Sequence, residues 1–314
     1  MKRRRHEKGK HIHYCLLVNR SASEYSQHFV KKLIERIRQK GGYYTVFEPE
    51  SRTQLYQTAQ RACGLRRWSR ATPQQFSRRG KVTSLIACGG DGTVNQVARV
   101  AVKANLPLGI LPLGKLNNIA RSLCGSADPA LAISKIMARN YRKIDTATIA
   151  GQMFIGSAGI GFAPEMTEQL RGRRPPRFCL GWSGLASKAA SAVELKKVIV
   201  RIDAFRFEVH PTILNINLLP YSFGLPLTPL SVPDDKTAEV IFNVGVDTEP
   251  FSTFVRQVCR KKYVYGNTVR LFRGQEISLE LVGRRKLCYD GELMDLINDK
   301  VDIKIGAAQL KVFC

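Results

Sequence analysis

The feature that most constrains this chain is a glycine-rich turn in the sequence LIACGGDGTVN, at residues 85–95. The apolar residues before the turn are typical of a buried strand. After it, apolar residues recur at the spacing of one helix face: Val94, Val97, Ala98 and Ala101. A strand, a glycine turn and a helix in this order can bind a phosphate, because glycines let backbone amides approach an anion at the N-terminus of the helix.

The turn also predicts local details. Gly89, Gly90 and Gly92 can adopt positive φ and carry no Cβ, so the backbone can turn sharply there, and we expect Thr93 to cap the helix that follows. Asp91 is unusual in an anion site, because a carboxylate there requires a cation or a reacting proton nearby, so it indicates Mg²⁺ or proton chemistry. On the three glycines alone, an ordinary tight turn of an α/β protein stays an open alternative.

The chain is strongly basic, with 50 Lys and Arg residues against 25 acidic ones and a net charge of +25. The basic residues cluster at 2–5, 66–70, 171–177, 256–262 and 284–286. Such charge favours a polyanion, either nucleic acid or an anionic membrane surface. The sequence contains no zinc-finger spacing, zipper heptads or RNA-recognition aromatics, so we expect no specific nucleic-acid partner.

Cysteine usage and hydropathy predict where such a chain works. Its eight cysteines include no CxxC pair, which indicates neither a zinc site nor a disulfide framework and favours a reduced, cytoplasmic protein. The apolar stretch at residues 15–18 is too short for the core of a signal peptide. No run of about 18 apolar residues occurs, so we expect peripheral membrane association. The oligomeric state is not indicated.

Strand and helix patterns alternate from Tyr14 to Leu111, which predicts a parallel sheet flanked by helices. Asn19, the glycine turn and the loop at 112–118 each follow a predicted strand, so they should meet at one edge of that sheet. From about residue 145 the segments become short and β-rich, with one helix near 252–262. We predict a basic tail at 1–11, an α/β domain at 12–144, and a β-sandwich domain at 145–314 whose last residues pack back on the first domain.

Six segments occur in a fixed order: GGDGTVNQV, LPLGKLNNIARSL, KIDTATI, SAGIGFAPEM, residues 215–235 and YDGEL. In this combination the chain resembles the diacylglycerol kinase catalytic-domain family, and most closely its bacterial soluble lipid kinases. This family belongs to the superfamily that includes NAD kinases. The likeness covers nearly all of the chain after residue 12. It implies a three-layer α/β domain with a parallel sheet, a C-terminal β-sandwich domain, and ATP bound between them.

The resemblance implies a kinase that uses ATP and Mg²⁺ to phosphorylate the hydroxyl of diacylglycerol or a related lipid at the inner membrane surface. Asp290 would be the general base, supported by Glu292. Asp235 and Thr237 would hold a structural Mg²⁺, and Asp145 would be a further acidic position linked to the active centre. The residues that would contact the nucleotide are Asn19, Gly89, Gly90, Asp91, Gly92, Thr93, Asn95, Gly114, Lys115 and Asn117.

The chain departs from the family pattern in three loops. Lys115 stands where the family has Thr, and Asn118 stands where it has Asp. The loop at 19–23 lacks the family's Pro and Gly, and Lys236 replaces a Gly. Two further functions stay open: a catalytically weakened member that binds nucleotide or anionic lipid as a sensor or partner, and a nucleic-acid binder. An NAD kinase is disfavoured because its later glycine loop is absent from the sequence.

Overall fold

The computed structural model describes residues 12–67, 81–176, 178–243, 251–260 and 269–314. The basic tail at 1–11 lies outside these ranges, as do parts of three basic clusters: Trp68, Arg70, Arg177, Lys261 and Lys262. None of the helices within the described ranges combines the length and the apolar character that a membrane crossing needs.

The first half alternates strands with helices, as the sequence predicts. Its strands are β1 (His13–Val18), β2 (Tyr43–Phe47), β3 (Ser84–Gly89) and β4 (Leu108–Pro112). Its helices are α1 (Gln27–Gln39), α2 (Arg52–Ala62), α3 (Asp91–Ala104), α4 (Asn118–Cys124) and α5 (Pro129–Ala138). The strands are parallel in the order β2-β1-β3-β4. Helices α1 and α5 cover one face of this sheet and α2, α3 and α4 cover the other, which gives three layers.

The second half is mostly β-structure. Its strands are β5 (Tyr141–Ile149), β6 (Gln152–Phe154), β7 (Ser157–Gly161), β8 (Val198–Ile202), β9 (Phe205–Val209), β10 (Ile213–Asn217), β11 (Ala238–Asn243), β12 (Val269–Gly274), β13 (Ile277–Leu281), β14 (Arg285–Tyr289), β15 (Glu292–Leu296) and β16 (Lys300–Phe313). Its helices are α6 (Phe162–Leu170), α7 (Cys179–Ser191) and α8 (Phe251–Cys259). The expectation of one helix in this half is therefore wrong. Glycines and serines in α7 weaken its helical pattern, and tertiary packing against α8 overrides that weakness.

Two sheets face each other in the second half. One is a six-stranded antiparallel sheet in the order β12-β11-β10-β7-β14-β15. The other continues the parallel sheet beyond β4 through β16, β13, β8 and β9. Apolar side chains from both sheets form one core between them, including Phe154, Val200, Leu214 and Phe242. The predicted fold class, an α/β unit with a parallel sheet followed by a β-sandwich, is confirmed.

The C-terminal strand β16 links the two halves. It pairs in parallel with β4 at Val312 and Leu108, and it pairs along most of its length with β5 in antiparallel fashion. The predicted boundary near residue 145 lies within β5. Because β5 and β16 are shared in this way, the position of the second half relative to the first is fixed by backbone hydrogen bonds as well as by side chains.

The end of β16 should be essential for stability. Phe313 is fully buried between the parallel sheet and α1 and α5, so Phe313→Ala should lower the free energy of unfolding by about 3–5 kcal/mol. Urea denaturation followed by circular dichroism measures this loss. The control is Phe178→Ala, because Phe178 is 79% exposed and should change stability by less than about 0.5 kcal/mol. Equal small losses would contradict the assignment of Phe313 to the core.

Candidate active site

A cleft of about 610 Å³ lies where the two halves meet, within the size range of small-molecule sites. Its walls include the loops after β1, β3 and β4, the end of α6 and the turn between β14 and β15. Nine of the predicted site residues line it: Asn19, Gly90, Asp91, Gly92, Thr93, Gly114, Lys115, Asp290 and Glu292. Three more contact these lining residues: Gly89, Asn95 and Asn117. The predicted nucleotide and catalytic residues are therefore brought together.

Gly90 and Gly114 bring two loops of the cleft into direct backbone contact. A Cβ on Gly114 would overlap the Gly90 Cα, and a Cβ on Gly90 would lie 3.2 Å from the Gly114 Cα. Gly89, Gly90 and Gly92 do not use positive φ, since Gly90 has φ −88° and the other two also lie outside that region. These glycines are needed because the loops approach closely.

The N-terminus of α3 opens into the cleft. Gly90 is its N-cap, and no side chain caps the helix. Thr93, the expected cap, lies within the first turn instead, where its hydroxyl accepts a hydrogen bond from Asn19 Nδ2 at 3.1 Å. Because Gly90, Asp91 and Gly92 line the cleft, the amides and the partial positive charge of this helix end are placed to bind an anion.

The Asp91 carboxylate is directed at the next helix, α4. Its Oδ1 accepts from the Ile119 amide at 3.0 Å, and its Oδ2 accepts from the amide and the side chain of Asn118 at 3.0 and 3.1 Å. Burial raises the pKa of Asp91 to about 6; these hydrogen bonds oppose the rise and the nearby Asp290 adds to it. Asp91 therefore satisfies the N-terminus of α4, in addition to lining the cleft.

Asn118 joins the two halves through both ends of its side-chain amide. Its Nδ2 donates to Asp91, while its Oδ1 accepts from the Gly224 amide at 2.8 Å. Gly224 has φ +81°, and Trp182 packs against it, so this loop of the second half is firmly held. A carboxylate at position 118 could not donate to Asp91. The departure from the family pattern at Asn118 thus supplies a donor that this contact requires.

Lys115 and Asn117 hold the same loop from two other directions. Lys115 Nζ donates at 3.4 Å to the carbonyl of Leu170, the last residue of α6, where helix carbonyls carry partial negative charge. The Asn117 side chain accepts from the Gly114 amide at 2.9 Å and donates to the Gly114 carbonyl at 2.7 Å. Lys115 therefore makes a second contact between the halves, while Asn117 fixes the shape of the loop.

Asp290 is buried, and protein donors surround its carboxylate. Oδ2 accepts from Asn95 Nδ2 and the Ile155 amide, both at 2.8 Å. Oδ1 accepts from the amides of Gly156 and Ser157 at 2.8 and 3.1 Å. Burial raises the pKa of Asp290 above its usual value, although the hydrogen bond from Asn95 and those from the amides oppose this rise. The Asp290 carboxylate is thus held in one orientation beside the N-terminal part of α3.

Glu292 lies two residues further on and packs against the first turn of α3. A Cβ on Gly92 would overlap the Glu292 carboxylate, so the lack of a side chain at Gly92 permits this close approach. Glu292 is 7% exposed and forms an ion pair across the cleft with Arg52, at the start of α2, which is 69% exposed. The Asp290-Gly291-Glu292 turn therefore meets the glycine-rich turn directly.

The structure adds cleft residues that the sequence analysis missed. Arg52 and Arg171 line the cleft, and together with Lys115 they give it three cations. Arg52 follows the carboxyl end of β2, so the edge argument used for the other loops could have found it. Gly224 and its bond to Asn118 had no such signal, because 106 residues separate the two.

The three residues predicted to hold metal lie close together, since Asp145 bonds to the turn that carries Asp235 and Thr237, and each is bonded to protein groups. Asp235 is paired with Arg273, which also donates to Thr237 Oγ1 at 2.8 Å. The carboxylate of Asp145 accepts from the amides of Lys236 and Ala308, both at 2.6 Å. Within the described ranges, no group of three His, Cys, Asp or Glu residues is arranged to bind a metal ion. The Arg273 guanidinium neutralises Asp235 in this structure, and Mg²⁺ binding by Asp235 with backbone groups such as that of Thr237 stays a prediction.

Residues 13–149 match the family model of the diacylglycerol kinase catalytic domain. A Pseudomonas fluorescens protein named "Probable lipid kinase YegS-like" is 39% identical over 87 residues, which are 27% of this chain and 29% of that protein. A Staphylococcus carnosus protein named "Putative lipid kinase" is 24% identical over 234 residues, which are 71% of this chain and 74% of that protein. The match thus spans less than a third of the first relative's length and about three quarters of the second's.

The fold is shared with a crystal structure of a diacylglycerol kinase from Bacillus anthracis. The two chains superpose with a TM-score of 0.73 at 18% sequence identity, and the superposition covers 98% of each chain. At this identity the likeness concerns the fold.

The contact between Gly90 and Gly114 should be essential for nucleotide binding. Gly114→Ala forces the two loops apart, so ATP affinity, measured by isothermal titration calorimetry, should fall at least about tenfold. Gly184→Ala is the matched control, because a Cβ on Gly184 in α7 would meet no atom within 4 Å. An ATP affinity that is unchanged in Gly114→Ala would contradict a role for this contact in the binding site.

Asn118→Asp should destabilise the protein in a pH-dependent way. The new carboxylate would face Asp91, so the pair would hold a shared proton at low pH and repel when both groups ionise. The variant then keeps its stability at low pH and loses it as pH rises through the raised pKa values of the pair. Its free energy of unfolding should be lower by about 1–3 kcal/mol at pH 8 than at pH 5.5. Thermal denaturation at both values measures the difference.

The control for this experiment is Asn298→Asp, since position 298 is exposed and an exposed aspartate is ionised at both pH values. Its effect should be the same at both pH values. A loss of stability in Asn118→Asp that does not vary with pH would show that the two side chains at 91 and 118 are not coupled.

Proposed function

We propose that this chain, whose residues 13–149 match the family model of the diacylglycerol kinase catalytic domain, transfers the γ-phosphoryl group of ATP to a lipid hydroxyl. The observation that carries the proposal is the contact between the two motifs. Asn95 of the glycine-rich segment donates to Asp290 at 2.8 Å, and Gly92 packs against Glu292. A phosphate bound at the N-terminus of α3 would therefore lie beside the fixed carboxylate of Asp290.

The first half would bind the nucleotide. The amides at the start of α3 would bind phosphate, and the contact between Gly90 and Gly114 holds the two phosphate-side loops together. Arg52, Lys115 and Arg171 would neutralise phosphate charge from the other walls. Mg²⁺ carried with the triphosphate would supply further neutralisation when bound. The binding of ATP by these residues is supported by the cleft volume and by the helix N-terminus and cations that line it.

Asp290 would act as the general base. In the transfer, the lipid hydroxyl oxygen bonds to the γ-phosphorus, the bond from that phosphorus to the bridging oxygen of ADP breaks, and the hydroxyl proton passes to Asp290. Phosphoryl transfer requires positioning and charge neutralisation more than a strong base. The hydrogen bonds to Asp290 hold its carboxylate in place, and the raised pKa makes it a better proton acceptor than an exposed aspartate.

The acceptor would be a lipid alcohol such as diacylglycerol. Several apolar side chains line the cleft beside the polar groups: Leu55, Leu116, Ile119, Leu170 and Phe223. An acyl-chain alcohol suits this combination, because its hydroxyl can reach Asp290 while its apolar portion contacts these walls. The net charge of +25 would attract the protein to the anionic lipids of the inner membrane surface, where it would be peripherally bound.

Asp290→Asn should abolish transfer while ATP still binds. Asparagine has a similar size but cannot accept the proton, so kcat should fall about 10²–10⁴-fold. Its Nδ2 would face two of the donors that now bond to the carboxylate, so the melting temperature should also fall, and ATP binding is measured below that temperature. Radiolabelled ATP with mixed bacterial lipids, followed by chloroform extraction, measures the product. Asp295→Asn, at an exposed position of β15, is the matched control and should keep full activity. As pH falls, wild-type activity should decline at a higher pH than it would for a base with the usual aspartate pKa, because the pKa of Asp290 is raised.

The same assay decides between the kinase and the sensor function. An inactive wild type that gains transfer with Asn118→Asp would show a catalytically weakened member. An active wild type in which Asp290→Asn still transfers phosphate would assign the base to another residue. Retained ATP binding in the variant, measured by calorimetry, excludes misfolding as the cause of a lost activity.

A further inference from the structure

The segment that joins α6 to α7 carries a concentrated positive charge. Between Glu168 and Glu194 the chain has five basic residues and no acidic one. Three of the five are exposed just after α6, at Arg171, Arg173 and Arg174, and a fourth is exposed on α7, at Lys188. The segment itself contains no carboxylate that could neutralise them. This surface therefore favours an anionic partner.

The same segment exposes two large apolar side chains. Phe178 is 79% exposed and Leu180 is 80% exposed, and they are the two most exposed of the large apolar side chains within the described residues. The start of α7 holds them in place. Gly181 packs so closely on Pro176 that a Cβ would come within 2.8 Å, and Trp182 is buried against Gly224.

The outer face of α7 continues this surface. Ala186 and Ala189 are buried and pack toward Val255 of α8. The exposed positions along the opposite side are Leu180, Gly181, Gly184, Ser187, Lys188 and Ser191. Small residues and one lysine thus follow the two apolar side chains, with no acidic group that an anionic surface would repel.

This surface adjoins the mouth of the cleft. Leu170 and Arg171, at its start, both line the cleft. Trp182 packs behind Gly224, next to Phe223 of the cleft wall. A large partner bound to the α6–α7 segment would therefore lie beside the opening through which an acceptor reaches Asp290.

We propose that residues 171–176 and 178–188, the α6–α7 surface, dock the protein on an anionic lipid bilayer. Phe178 and Leu180 insert among the acyl chains, and Arg171, Arg173, Arg174 and Lys188 contact lipid headgroups. Exposed apolar side chains in the same segment as exposed arginines match a bilayer, which offers apolar chains beneath negative charge; the outside of a nucleic-acid duplex offers mainly charge. The inference deepens the proposed lipid kinase function, and rests on it only for the nature of the acceptor.

The test is sedimentation with vesicles of phosphatidylcholine, with and without phosphatidylglycerol, in the absence of ATP. Wild type should bind the anionic vesicles more tightly than the neutral ones. Phe178→Ser with Leu180→Ser, and separately Arg173→Gln with Arg174→Gln, should each weaken binding about tenfold or more. All four positions are exposed, so the melting temperature should stay at the wild-type value.

Matched controls come from exposed positions elsewhere. Ile297→Ser removes an apolar side chain that is 71% exposed, and Arg206→Gln with Lys300→Gln removes two exposed charges. Both controls should bind vesicles within about twofold of wild type. Equal losses in the controls, or no loss in either test variant, would overturn the proposal. A loss of double-stranded DNA binding in the arginine variant with unchanged vesicle binding would also overturn it.

Activity assays separate this inference from the proposed function. The Phe178 and Leu180 double variant should phosphorylate short-chain diacylglycerol in detergent micelles at the wild-type rate, but should lose activity on vesicles. Asp290→Asn should bind vesicles as wild type does. Vesicle binding that is weakened in the test variants, without any kinase activity, would support the docking surface and contradict the proposed function. Kinase activity with vesicle binding that is unchanged in both test variants would support the proposed function and contradict the docking surface.

Discussion

The buried carboxylate of Asp290 is the constraint on which the arrangement of the cleft depends. An ionised carboxylate without partners in such a position would cost several kcal/mol. Its donors come from α3 through Asn95 and from the turn at residues 155–157, while Asp290 itself belongs to the turn after β14. All of these elements must therefore meet at one point, and the N-terminal part of α3 is fixed relative to the second half of the chain.

Asp91 imposes a similar requirement on the other side of the cleft. Its carboxylate needs the amides at the start of α4 and the side chain of Asn118, and Asn118 in turn reaches the Gly224 amide. The two aspartates also interact, since the charge of Asp290 helps to raise the pKa of Asp91. The cleft is thus a place where ionisable groups are buried close together, which is common at catalytic sites and demands an exact set of donors.

The fold could be predicted from the sequence, and so could the part of the site around the glycine-rich turn, because their signals are local. The strand, glycine turn and helix around Gly90 follow from spacing within about ten residues, and the carboxyl ends of parallel strands meet by topology. The reason for the glycines could not be predicted, because it is the approach of Gly114 and Glu292 rather than a positive φ. Arg273 neutralises Asp235 from 38 residues away, a pairing that no sequence pattern indicates.

The two departures at 115 and 118 act together. Relative to the family pattern, Lys for Thr adds one positive charge and Asn for Asp removes one negative charge, so the loop is more positive by two units. Both side chains also bond across the cleft, to the Leu170 carbonyl and to the Gly224 amide. A loop with this charge, beside Asp91, Asp290 and Glu292, reduces the repulsion that a polyphosphate would meet from the three carboxylates. The substitutions therefore alter charge and contacts between the halves while the contact between Gly90 and Gly114 is retained.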